Sequence, residues 1–450
     1  MRFETPEEVE AYLEQAGIRF HKLAVVDVDG VLRGKYVDKS KFASALRSGF
    51  GFCNVVLGWD SADQLYDNTN LVGWHTGYRD APVRLDLSTV RRLPLEEDTI
   101  LVLGQFDGAY AGACPRSLLE RVIQRATAAG LTAHAAFEYE FFVFEETPES
   151  VREKGYRNLK PLSPGMFGYS MLRSGVHADL YHQLLAAMQE LEADIEGLHT
   201  ETGPGVIEAA LSYRPALDAA DRAALFKTYT KVLLQRAGLM ATFMAKWSSD
   251  YPGQSGHLHI SLTDRDDKNV FFSPDGDGLS ETFRHFVAGQ ALLLPDVLAM
   301  VCSTVNAYRR LVPGLWAPTH ATWGIENRTT AIRAIPAGAK GTRSEYRIGP
   351  ADGNPYLVLA AALATGLYGI EQRLELPPVE GNAYEHPGAG ARELPTTLGA
   401  ATRAFLESKL TRELFGDTFV EHFAQTRIWE DRAAQRYVSD FDLARYFEII

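Results

Sequence analysis

The chain is predicted to fold as an α+β protein with one small and one large domain. Its 450 residues exceed the usual length of a single compact domain. Apolar residues make up 46% of the chain and charged residues 23%, which is enough apolar material for a large core. Segments with helical periodicity are mixed with mostly antiparallel strands, and this mixture is typical of the α+β class.

The first elements predict a small mixed domain over residues 1–110. Residues 5–17 have the pattern of a helix, which Thr5 can cap. Residues 22–37 predict two strands that turn at Asp29-Gly30. Further strand-like segments lie near residues 83–90 and 99–106. Together these elements are expected to form one mixed sheet with helices.

The second domain is predicted over residues 111–450. Its predicted helices and strands, in chain order, are the helix 115–130, the strand 131–146, a helix within 212–238, the strand 255–264 and the buried helix 354–374. Residues 376–394 are rich in Pro and Gly and predict an exposed loop. Tyr384, which lies in this loop, is expected to be exposed as well.

Charge and cysteine content exclude several classes of protein. The formal net charge is −13, from 45 basic and 58 acidic residues, so nucleic acid and membranes are not expected as partners. The three cysteines are widely spaced and predict neither a disulfide framework nor a zinc site. The N-terminal segment lacks the apolar part of a signal peptide, and no apolar run reaches the length of a membrane span. A cytoplasmic protein is therefore expected.

Four glutamates in two strand segments are candidate ligands for a cation. Glu138 and Glu140 are two residues apart in "FEYEF", so both side chains point to one face of a strand. Glu201 and Glu208 flank a Gly-Pro-Gly turn in "ETGPGVIEAAL", which can bring them to facing positions. A solvated acidic strand and a charged hairpin are the structural alternatives, because exposed glutamate is common.

Histidine and arginine residues extend this set. His257 and His259 share one strand face in "SGHLHISL", and Glu345 alternates with Arg343 and Arg347 in "RSEYRIGP". The structural alternatives are ordinary core histidines and a surface ladder of ion pairs. Oxygen ligands with an imidazole favour Mg²⁺ or Mn²⁺, and such cations beside arginines suit phosphoryl transfer. The chain has no Gly-x-x-x-x-Gly-Lys-Ser/Thr segment, which excludes a P-loop.

These segments, in this order, resemble the glutamine synthetase superfamily of ATP-dependent amide-forming ligases. The matching motifs are "FEYEF", "ETGPGVIEAAL", "SGHLHISL", "NAYRRLVPG", "ENRTTAIR", "RSEYRIGP" and "ADGNPY". The resemblance implies a small N-terminal β-grasp domain and a larger catalytic domain of the glutamine synthetase type. It also implies a homo-oligomer, commonly a dodecamer of two hexameric rings, with each active site between neighbours.

The resemblance further implies a reaction and roles for individual residues. ATP would phosphorylate the γ-carboxylate of glutamate, and an amine would then displace the phosphate. One divalent metal would be held by Glu140, Glu201 and Glu208, and a second by Glu138, His257 and Glu345. ATP would be bound by His259, Arg333, Lys340 and Arg343. Glutamate and the transferred phosphate would be held by Arg310, Arg328 and Arg347, with the backbone of Gly253 meeting glutamate beside Pro252, where the family has asparagine.

The chain departs from the resemblance at the two positions that would form an ammonium site. Trp316 in "RRLVPGLWAP" occupies the position of a family glutamate, and Cys53-Asn54 that of a family aspartate, although Asp60 and Asp63 lie close by. An indole cannot accept a proton from an amine but offers a large apolar face. The sequence therefore predicts that the second substrate is an organic amine. The same N-terminal stretch would add apolar surface from Phe50, Phe52 and Trp59.

An aromatic amine such as aniline fits this prediction best, because it is already neutral at pH 7. Polyamines and alkylamines are competing choices, and Glu326 with the Asp60/Asp63 pair could form an acidic recess for a polyamine. A true glutamine synthetase that uses ammonia, an inactive regulatory homologue, and a purely packing role for Trp316 are further alternatives.

Two other features have a competing interpretation. "AVVDVDGVL" resembles the opening of haloacid-dehalogenase phosphatases, with Asp27 as nucleophile and Asp29 as acid, but a hairpin turn is the favoured interpretation. Tyr384 lies near the position at which some bacterial members of the glutamine synthetase superfamily are adenylylated, although the surrounding residues differ.

Overall fold

The structure is a computed structural model and describes residues 2–450. Its N-terminal elements are α1 (Pro6–Gln15), β1 (Phe20–Val26), β2 (Leu32–Val37), α2 (Lys39–Ser48), β3 (Phe50–Cys53), β4 (Asp80–Leu85), β5 (Arg91–Arg92) and β6 (Thr99–Phe106). The strands form one sheet in the order β2-β1-β6-β4-β3, with β5 paired to β6. Strands β1 and β6 are parallel, β1 and β2 form a hairpin, and α2 packs against β1 and β4. This is the predicted β-grasp arrangement.

Local hydrogen bonds explain where the N-terminal elements begin and end. Thr5 accepts from the Glu8 N–H at 3.3 Å, and the Glu8 carboxylate accepts from the Thr5 N–H, which confirms the predicted cap of α1. The strand expected at residues 83–90 lies earlier, at Asp80–Leu85. It ends there because Asp86 accepts from the Ser88 N–H at 3.1 Å and starts a short helical turn.

The hairpin between β1 and β2 confirms the turn at Asp29-Gly30 and shows that the phosphatase hypothesis is wrong. The buried Asp27 carboxylate accepts from the N–H groups of Asp29 and Val31 at 3.0 and 2.8 Å, and from Arg33 Nε at 2.8 Å. The Asp27 carboxylate therefore stabilises the turn and is not available as a nucleophile. Gly30 has a φ of 85°, and a Cβ there would lie 3.1 Å from Asn354, so this turn requires glycine.

The second part of the chain contains the remaining elements. The helices are α3 (Pro115–Ala128), α4 (Pro148–Glu153), α5 (Met171–Val176), α6 (Ala178–Glu190), α7 (Ala216–Arg236), α8 (Glu281–Val301), α9 (Gly338–Gly341), α10 (Pro355–Gln372), α11 (Leu398–Glu407), α12 (Lys409–Phe415), α13 (Asp417–Gln435) and α14 (Asp440–Tyr446). The strands are β7 (Thr132–Phe144), β8 (Ile195–Thr200), β9 (Val206–Leu211), β10 (Arg214–Pro215), β11 (Met240–Thr242), β12 (Gly256–Thr263), β13 (His320–Ala321), β14 (Trp323–Ile325), β15 (Ile332–Ile335), β16 (Arg343–Tyr346) and β17 (Arg392–Glu393).

A nine-stranded sheet carries the candidate site residues. Its order is β14-β15-β16-β12-β7-β9-β8, with β10 and β11 paired to β7. Along β7 the side chains of Phe137, Tyr139 and Phe141 are buried on one face, and Tyr139 and Phe141 pack against Phe226 of α7 with ring centroids 6.1 Å apart. Glu138 and Glu140 point to the other face, as predicted. Because side chains alternate between the two faces of β7, one face of this strand packs in the core and the other carries site residues.

Long buried helices support the sheet from the other side. The predicted helix 354–374 is α10, and most of its residues are buried against α8, α3 and α7. Within residues 2–450, no helix is both long enough and apolar enough to cross a membrane.

The loop at residues 376–394 was predicted to be exposed, but hydrogen bonds hold it against the rest of the protein. Trp323 Nε1 donates to the Leu376 carbonyl at 2.8 Å, and Asn327 Nδ2 donates to the Gly381 carbonyl at 2.9 Å. Tyr384 was expected to be exposed, but it is half-buried and its hydroxyl is buried. The reason is that these bonds hold the loop against β14 and the segment that follows it.

Buried arginines join the N-terminal part to the rest of the chain. Arg427 of α13 contacts Asp29 at 2.8 Å, the Tyr66 hydroxyl at 3.2 Å and the Ser303 carbonyl at 2.7 Å. Arg116 likewise bridges Asp86 and Asp221. Because such contacts cross residue 110, the exact domain boundary stays a prediction.

Replacing Arg427 by Met is expected to lower the free energy of unfolding by about 3 kcal/mol, because Asp29 would keep a largely buried charge without its partner. Chemical denaturation followed by tryptophan fluorescence measures this. The matched control is Arg432→Met on the same helix, which removes a more exposed ion pair with Asp67 and should cost less than about 1 kcal/mol. Equal losses in the two variants would contradict the joining role of Arg427.

Candidate active site

One group of carboxylates lies across β8, β9 and β7. The strand register places Glu140 opposite Glu208, and Glu208 opposite His199. Glu201 lies at the end of β8, where its Oε1 accepts from the N–H and hydroxyl of Thr202, both at 2.8 Å. The predicted hairpin around the Gly-Pro-Gly turn therefore brings Glu201 and Glu208 to the same face as Glu140.

A second group lies across β7, β12 and β16. His257 is opposite Glu138, and His259 is opposite Glu345. His257 Nδ1 lies 3.3 Å from Glu138 Oε1 and 3.4 Å from Glu345 Oε1, and His259 Nε2 lies 3.6 Å from Glu138 Oε2. Arg333 contacts the other oxygen of Glu345 at 3.1 Å. Pairing of neighbouring strands thus assembles residues that are more than 200 positions apart in the chain.

Burial makes the charges of these groups costly. Burial raises the pKa of Glu140, and burial with the charges of Glu138 and Glu140 raises the pKa of Glu208 to about 8. Glu345 is also buried, but Arg347 and the two histidines outweigh this and lower its pKa to about 2. Hydrogen bonds from His257 and His259 likewise lower the pKa of Glu138 against the effect of burial. At Glu140 and Glu208 the neighbouring positive groups do not outweigh burial, so these two carboxyl groups resist ionisation.

The donor set fits divalent cations. The ligand atoms of Glu138, His259 and Glu345 lie within 4.8 Å of one another, as do those of His199, Glu201 and Glu208. Carboxylate oxygens with an imidazole suit Mg²⁺ or Mn²⁺, and a cation would remove the repulsion among the buried carboxylates. The two predicted sets of three ligands are also brought together. Glu140 lies beside Glu201 and Glu208, and His257 lies beside Glu138 and Glu345.

Two residues of this site were not predicted from the sequence. His199 Nε2 lies 3.3 Å from Glu208 Oε1, and the ring of Tyr169 stacks on His199 with centroids 4.3 Å apart. His199 could have been found, because it is two residues before Glu201 on the same strand. Tyr169 lies in an irregular segment with a φ of 54°, and no periodic pattern points to it. His259, expected at ATP, also joins a candidate metal group.

A cavity of about 630 Å³ opens over this face of the sheet. It is lined by all six predicted metal ligands, by Arg328, Arg333, Arg343 and Arg347, and by Gly168, Tyr169, His199, Thr202, Pro252, Gly253, Ser255, His259, Leu315 and Trp316. Arg347 is buried, and its Nη1 donates to Glu345 Oε1. Arg328 is exposed at the opening. Anionic ligands would therefore meet several guanidinium groups on one side of the carboxylates.

Two predicted site residues do not line this cavity, namely Lys340, which lines a second cavity, and Arg310. The buried guanidinium of Arg310 donates to the Ile348 carbonyl and to Ser255 Oγ, both at 2.9 Å, and to the Arg347 carbonyl at 3.2 Å. These acceptors hold Arg310 beneath the cavity. It therefore supports the backbone around Arg347, and its predicted role as a direct contact to glutamate or phosphate stays a prediction.

Gly253 lines the cavity directly above Arg310. A Cβ at this position would lie 2.6 Å from the Ala245 carbonyl oxygen and 2.7 Å from Arg310 Cγ. A larger residue would clash with these atoms, so this position of the cavity wall requires glycine. The neighbouring Pro252 offers no N–H donor and no amide side chain at the same wall.

A second cavity, of about 790 Å³, continues from the first. The two share Glu138, His259 and Arg343 as lining residues, and Lys340 lines the second. Arg343 Nε donates to His259 Nδ1 at 3.2 Å. Away from this junction the second cavity is lined by apolar side chains and by His134, Glu196, Tyr213, Ser261, Thr263, Asp267 and Asn269. Basic residues at one end and a partly apolar other end suit a phosphorylated aromatic ligand.

Trp316 and the N-terminal aromatics lie in different places. Trp316 lies at the rim of the first cavity, 56% exposed and with a φ of 60°, next to Leu315. Phe50, Phe52, Trp59, Asp60 and Asp63 do not line it, nor does any other described residue before Glu138. Cys53 and Asn54 point inwards, to the Tyr78 carbonyl and the Tyr110 hydroxyl. The N-terminal stretch around residues 50–63 was predicted to add surface to the site. Among residues 2–450, it does not line the cavity of its own chain.

Comparisons with known proteins agree with this geometry. The model of the family "Glutamine synthetase, catalytic domain" matches residues 112–446. Type-1 glutamine synthetase 2 of Dictyostelium discoideum is 46% identical over 96% of this chain and 84% of its own length. Glutamate–isopropylamine ligase of Pseudomonas sp. is 37% identical over 98% of both chains, and gamma-glutamylethanolamide synthetase of Streptomyces coelicolor is 36% identical over 98% and 95%.

Solved structures agree as well. A GmaS/ADP complex superposes with a TM-score of 0.85 and 25% identity over 97% of this chain and 98% of that chain. The fold, the paired carboxylate and imidazole groups and the family match lead to one conclusion. The chain belongs to the glutamine synthetase family and is an ATP-dependent carbon–nitrogen ligase.

Proposed function

We propose that this enzyme joins the γ-carboxylate of glutamate to an organic amine with a hydrophobic or aromatic body, using ATP. The observation that carries the proposal is the apolar rim formed by Trp316 and Leu315 beside the carboxylate and arginine cluster. The names of the isopropylamine and ethanolamide relatives support an organic amine in general. The aromatic, aniline-like amine is the narrower part of the proposal and rests on the indole alone.

ATP and two divalent cations, Mg²⁺ or Mn²⁺, are proposed as cofactors. Glu140, Glu201 and Glu208 would hold one cation, with His199 beside them, and Glu138, His257 and Glu345 the other, with His259 at their edge. Such cations neutralise the oxygens of a phosphate during transfer. The GmaS neighbour is a complex with ADP, which supports a nucleotide in the second cavity, with its phosphates towards Lys340, Arg343 and His259.

The protein residues would act mainly by positioning charge. Arg347 and Arg328 would hold the carboxylates of glutamate and the transferred phosphate, while Arg333 and Arg343 would face the nucleotide phosphates. The γ-carboxylate would attack the terminal phosphate of ATP and release ADP. The amine would then attack the resulting γ-glutamyl phosphate and release phosphate. Between the two steps the rim at Trp316 would limit access of water to the acyl phosphate.

The proposed amine subsite lies between two aromatic residues. Trp316 and Tyr169 both line the cavity and are both held with a positive φ. An indole and a phenol offer aromatic faces to an alkyl or aryl group, and Glu201 lies in the same cavity for its amino group. Glu326 is less available for a polyamine, because it is paired with Arg333.

The alternatives remain distinguishable by experiment. The name of the Dictyostelium relative favours ammonia as the amine, as in a true glutamine synthetase. A polyamine or alkylamine would keep the ligase class and change only the amine. An inactive regulatory homologue would bind cations without turning over ATP, but the complete donor set does not favour this.

A homo-oligomer, a dodecamer of two hexameric rings, is also proposed. It is supported by exposed apolar side chains near the C-terminus, on the segment before α5 and at the start of α5, which are Tyr437, Val438, Phe441, Phe447, Ile449, Ile450, Met166, Phe167, Met171 and Leu172. Large exposed apolar patches are typical of interaction surfaces. A neighbouring chain could also supply the N-terminal aromatics that this chain does not bring to its own site.

Cation binding is tested by thermal unfolding of protein stripped with EDTA and then given Mn²⁺. A cation at about 100 times its Kd is expected to stabilise the fold by about 2.7 kcal/mol. Glu208→Gln should lose most of this gain, yet its metal-free form should be at least as stable as wild type, because one buried carboxylate is removed. Glu190→Gln, on the exposed face of α6, is the control and should keep the gain. An undiminished gain in Glu208→Gln would rule out this ligand set.

The substrate proposal is tested by phosphate release with ATP, Mg²⁺ and glutamate. The amines to compare are ammonia, isopropylamine, ethanolamine, putrescine and aniline. The expected result is a higher kcat/KM for an organic amine than for ammonia, with aniline above the alkylamines. Ammonia as the best substrate would overturn the organic-amine proposal, and a preference for isopropylamine over aniline would overturn its aromatic part.

Trp316→Glu is expected to shift the preference from apolar amines towards ammonia by at least about tenfold in kcat/KM, which corresponds to about 1.4 kcal/mol. The reason is that the apolar wall would be replaced by a carboxylate able to attract a cation and accept a proton. Val312→Glu adds the same charge to the same loop outside the cavity lining and should leave the preference unchanged. An unchanged preference in Trp316→Glu would remove the indole from the amine subsite.

A further inference from the structure

Glu326 is a half-exposed carboxylate that the proposed reaction does not yet use. It follows β14 directly, its side chain is 49% exposed, and its φ is 50°. Residues other than glycine rarely keep a positive φ, and those that do cluster at functional sites. The Glu326 N–H donates to the Ala334 carbonyl at 2.9 Å, so this conformation is fixed against β15.

Arg333, which lines the first cavity, is held between two carboxylates. Its Nε donates to Glu326 Oε2 at 2.9 Å, and its Nη2 donates to the same oxygen. Its Nη1 donates to Glu345 Oε2 at 3.1 Å. On one side of β15 the register places Arg333 opposite Glu345 of β16. On the other side it places Arg333 opposite Gly324 of β14, two residues before Glu326. The paired strands therefore bring both carboxylates to the same guanidinium.

These bonds leave two donors of Arg333 unused. A guanidinium has one N–H on Nε and two on each terminal nitrogen. The bonds to Glu326 and Glu345 take one N–H from each of the three nitrogens. Each terminal nitrogen therefore keeps one N–H that has no acceptor within residues 2–450. Two such donors on one guanidinium match two oxygens of one phosphate group.

Glu326 prevents Arg333 from pairing fully with Glu345. Arginine and a carboxylate favour a pair with two parallel hydrogen bonds, and Glu345 now receives one bond from Arg333. Without Glu326, the second terminal nitrogen of Arg333 would be able to turn onto Glu345 as well. That pair would use donors that suit a phosphate, and it would occupy carboxylate oxygens that suit a cation.

The charge of Glu326 would also act on a phosphate directly, with the opposite sign. A carboxylate repels an anion, so its removal could strengthen phosphate binding. However, the Glu326 side chain is half exposed, and solvent and salt screen a charge of this kind. Arg333 is 15% exposed, so the direction of its donors should have the larger effect.

We propose that Glu326 is a positioning residue for Arg333. It holds Nε and one N–H of Nη2, and this keeps one N–H on each terminal nitrogen for the phosphate of a nucleotide that reaches the first cavity. The inference rests on the proposed function, because it takes the nucleotide to lie in the second cavity with its phosphates towards the first.

The position of Arg333 predicts which nucleotides depend on Glu326. Lys340 lines the second cavity, whereas Arg333 lines the first, beside the carboxylates. AMP has only the phosphate attached to its ribose. ADP has one more phosphate, which extends further from the base and towards the first cavity. Glu326 should therefore affect the affinity for ADP and not the affinity for AMP.

Glu326→Ala tests this, because it removes the carboxylate. Calorimetric titration of ADP and of AMP into Mn²⁺-loaded full-length protein gives the affinities. The variant should bind ADP about tenfold more weakly than wild type, as expected for one lost hydrogen bond to a charged group, and should bind AMP equally well. Glu326→Gln keeps an amide oxygen that can accept from Nε and Nη2, so its ADP affinity should stay within about threefold of wild type.

Glu421→Ala is the matched control. The Glu421 side chain is 51% exposed, and its partner Arg412 also pairs with two carboxylates, the second being Asp417. These residues lie on α12 and α13 and do not line either of the two cavities. This variant should bind ADP as wild type does.

Several results would overturn the positioning role. They are unchanged or tighter ADP binding in Glu326→Ala, an equal loss for ADP and AMP, or a loss in Glu326→Gln as large as in Glu326→Ala. Thermal unfolding of each variant shows whether it is folded, which is expected because Glu326 is half exposed. Wild-type protein that binds no ADP would instead overturn the proposed function, and this inference with it.

Discussion

Repulsion among carboxylates in a shared, mostly buried space is the constraint on which the rest of the structure depends. Glu140 faces Glu208 across β7 and β9, Glu138 lies two residues away on the same face of β7, and burial opposes the ionisation of all three. Histidines and arginines surround them because a group of this kind is stable only with compensating positive charge. The same requirement makes the site a strong attractor for cations and, through its arginines, for anions.

The sheet meets this constraint through register and close packing. Pairing of β12 with β7 and β16 places each histidine opposite a glutamate, so a shift by one residue would move every ligand to the opposite face. Beneath the sheet surface, Arg310 uses its donors on backbone carbonyls and requires glycine at position 253. Residues that never reach the cavity thus determine where its walls lie.

Much of this could be predicted from the sequence, for physical reasons that differ between residues. The period of two in residues 137–141 was sufficient to predict which face Glu138 and Glu140 share, and motif order was sufficient to predict the family. His199 and Tyr169 were missed because their role depends on a partner strand and on an irregular loop. The direction of Arg310 and the burial of the Tyr384 hydroxyl depend on contacts to distant backbone segments, and a local pattern carries no information about those.

The wall shared by the two cavities has a thermodynamic consequence. Glu138, His259 and Arg343 border both spaces, so a charged ligand in either one changes the electrostatic potential felt in the other. Linkage requires that two ligands which meet at such a wall alter each other's affinity by the same factor. The enzyme would therefore need no moving element to make its ligands cooperative, and the order in which they bind would be a matter of rates and not of equilibrium.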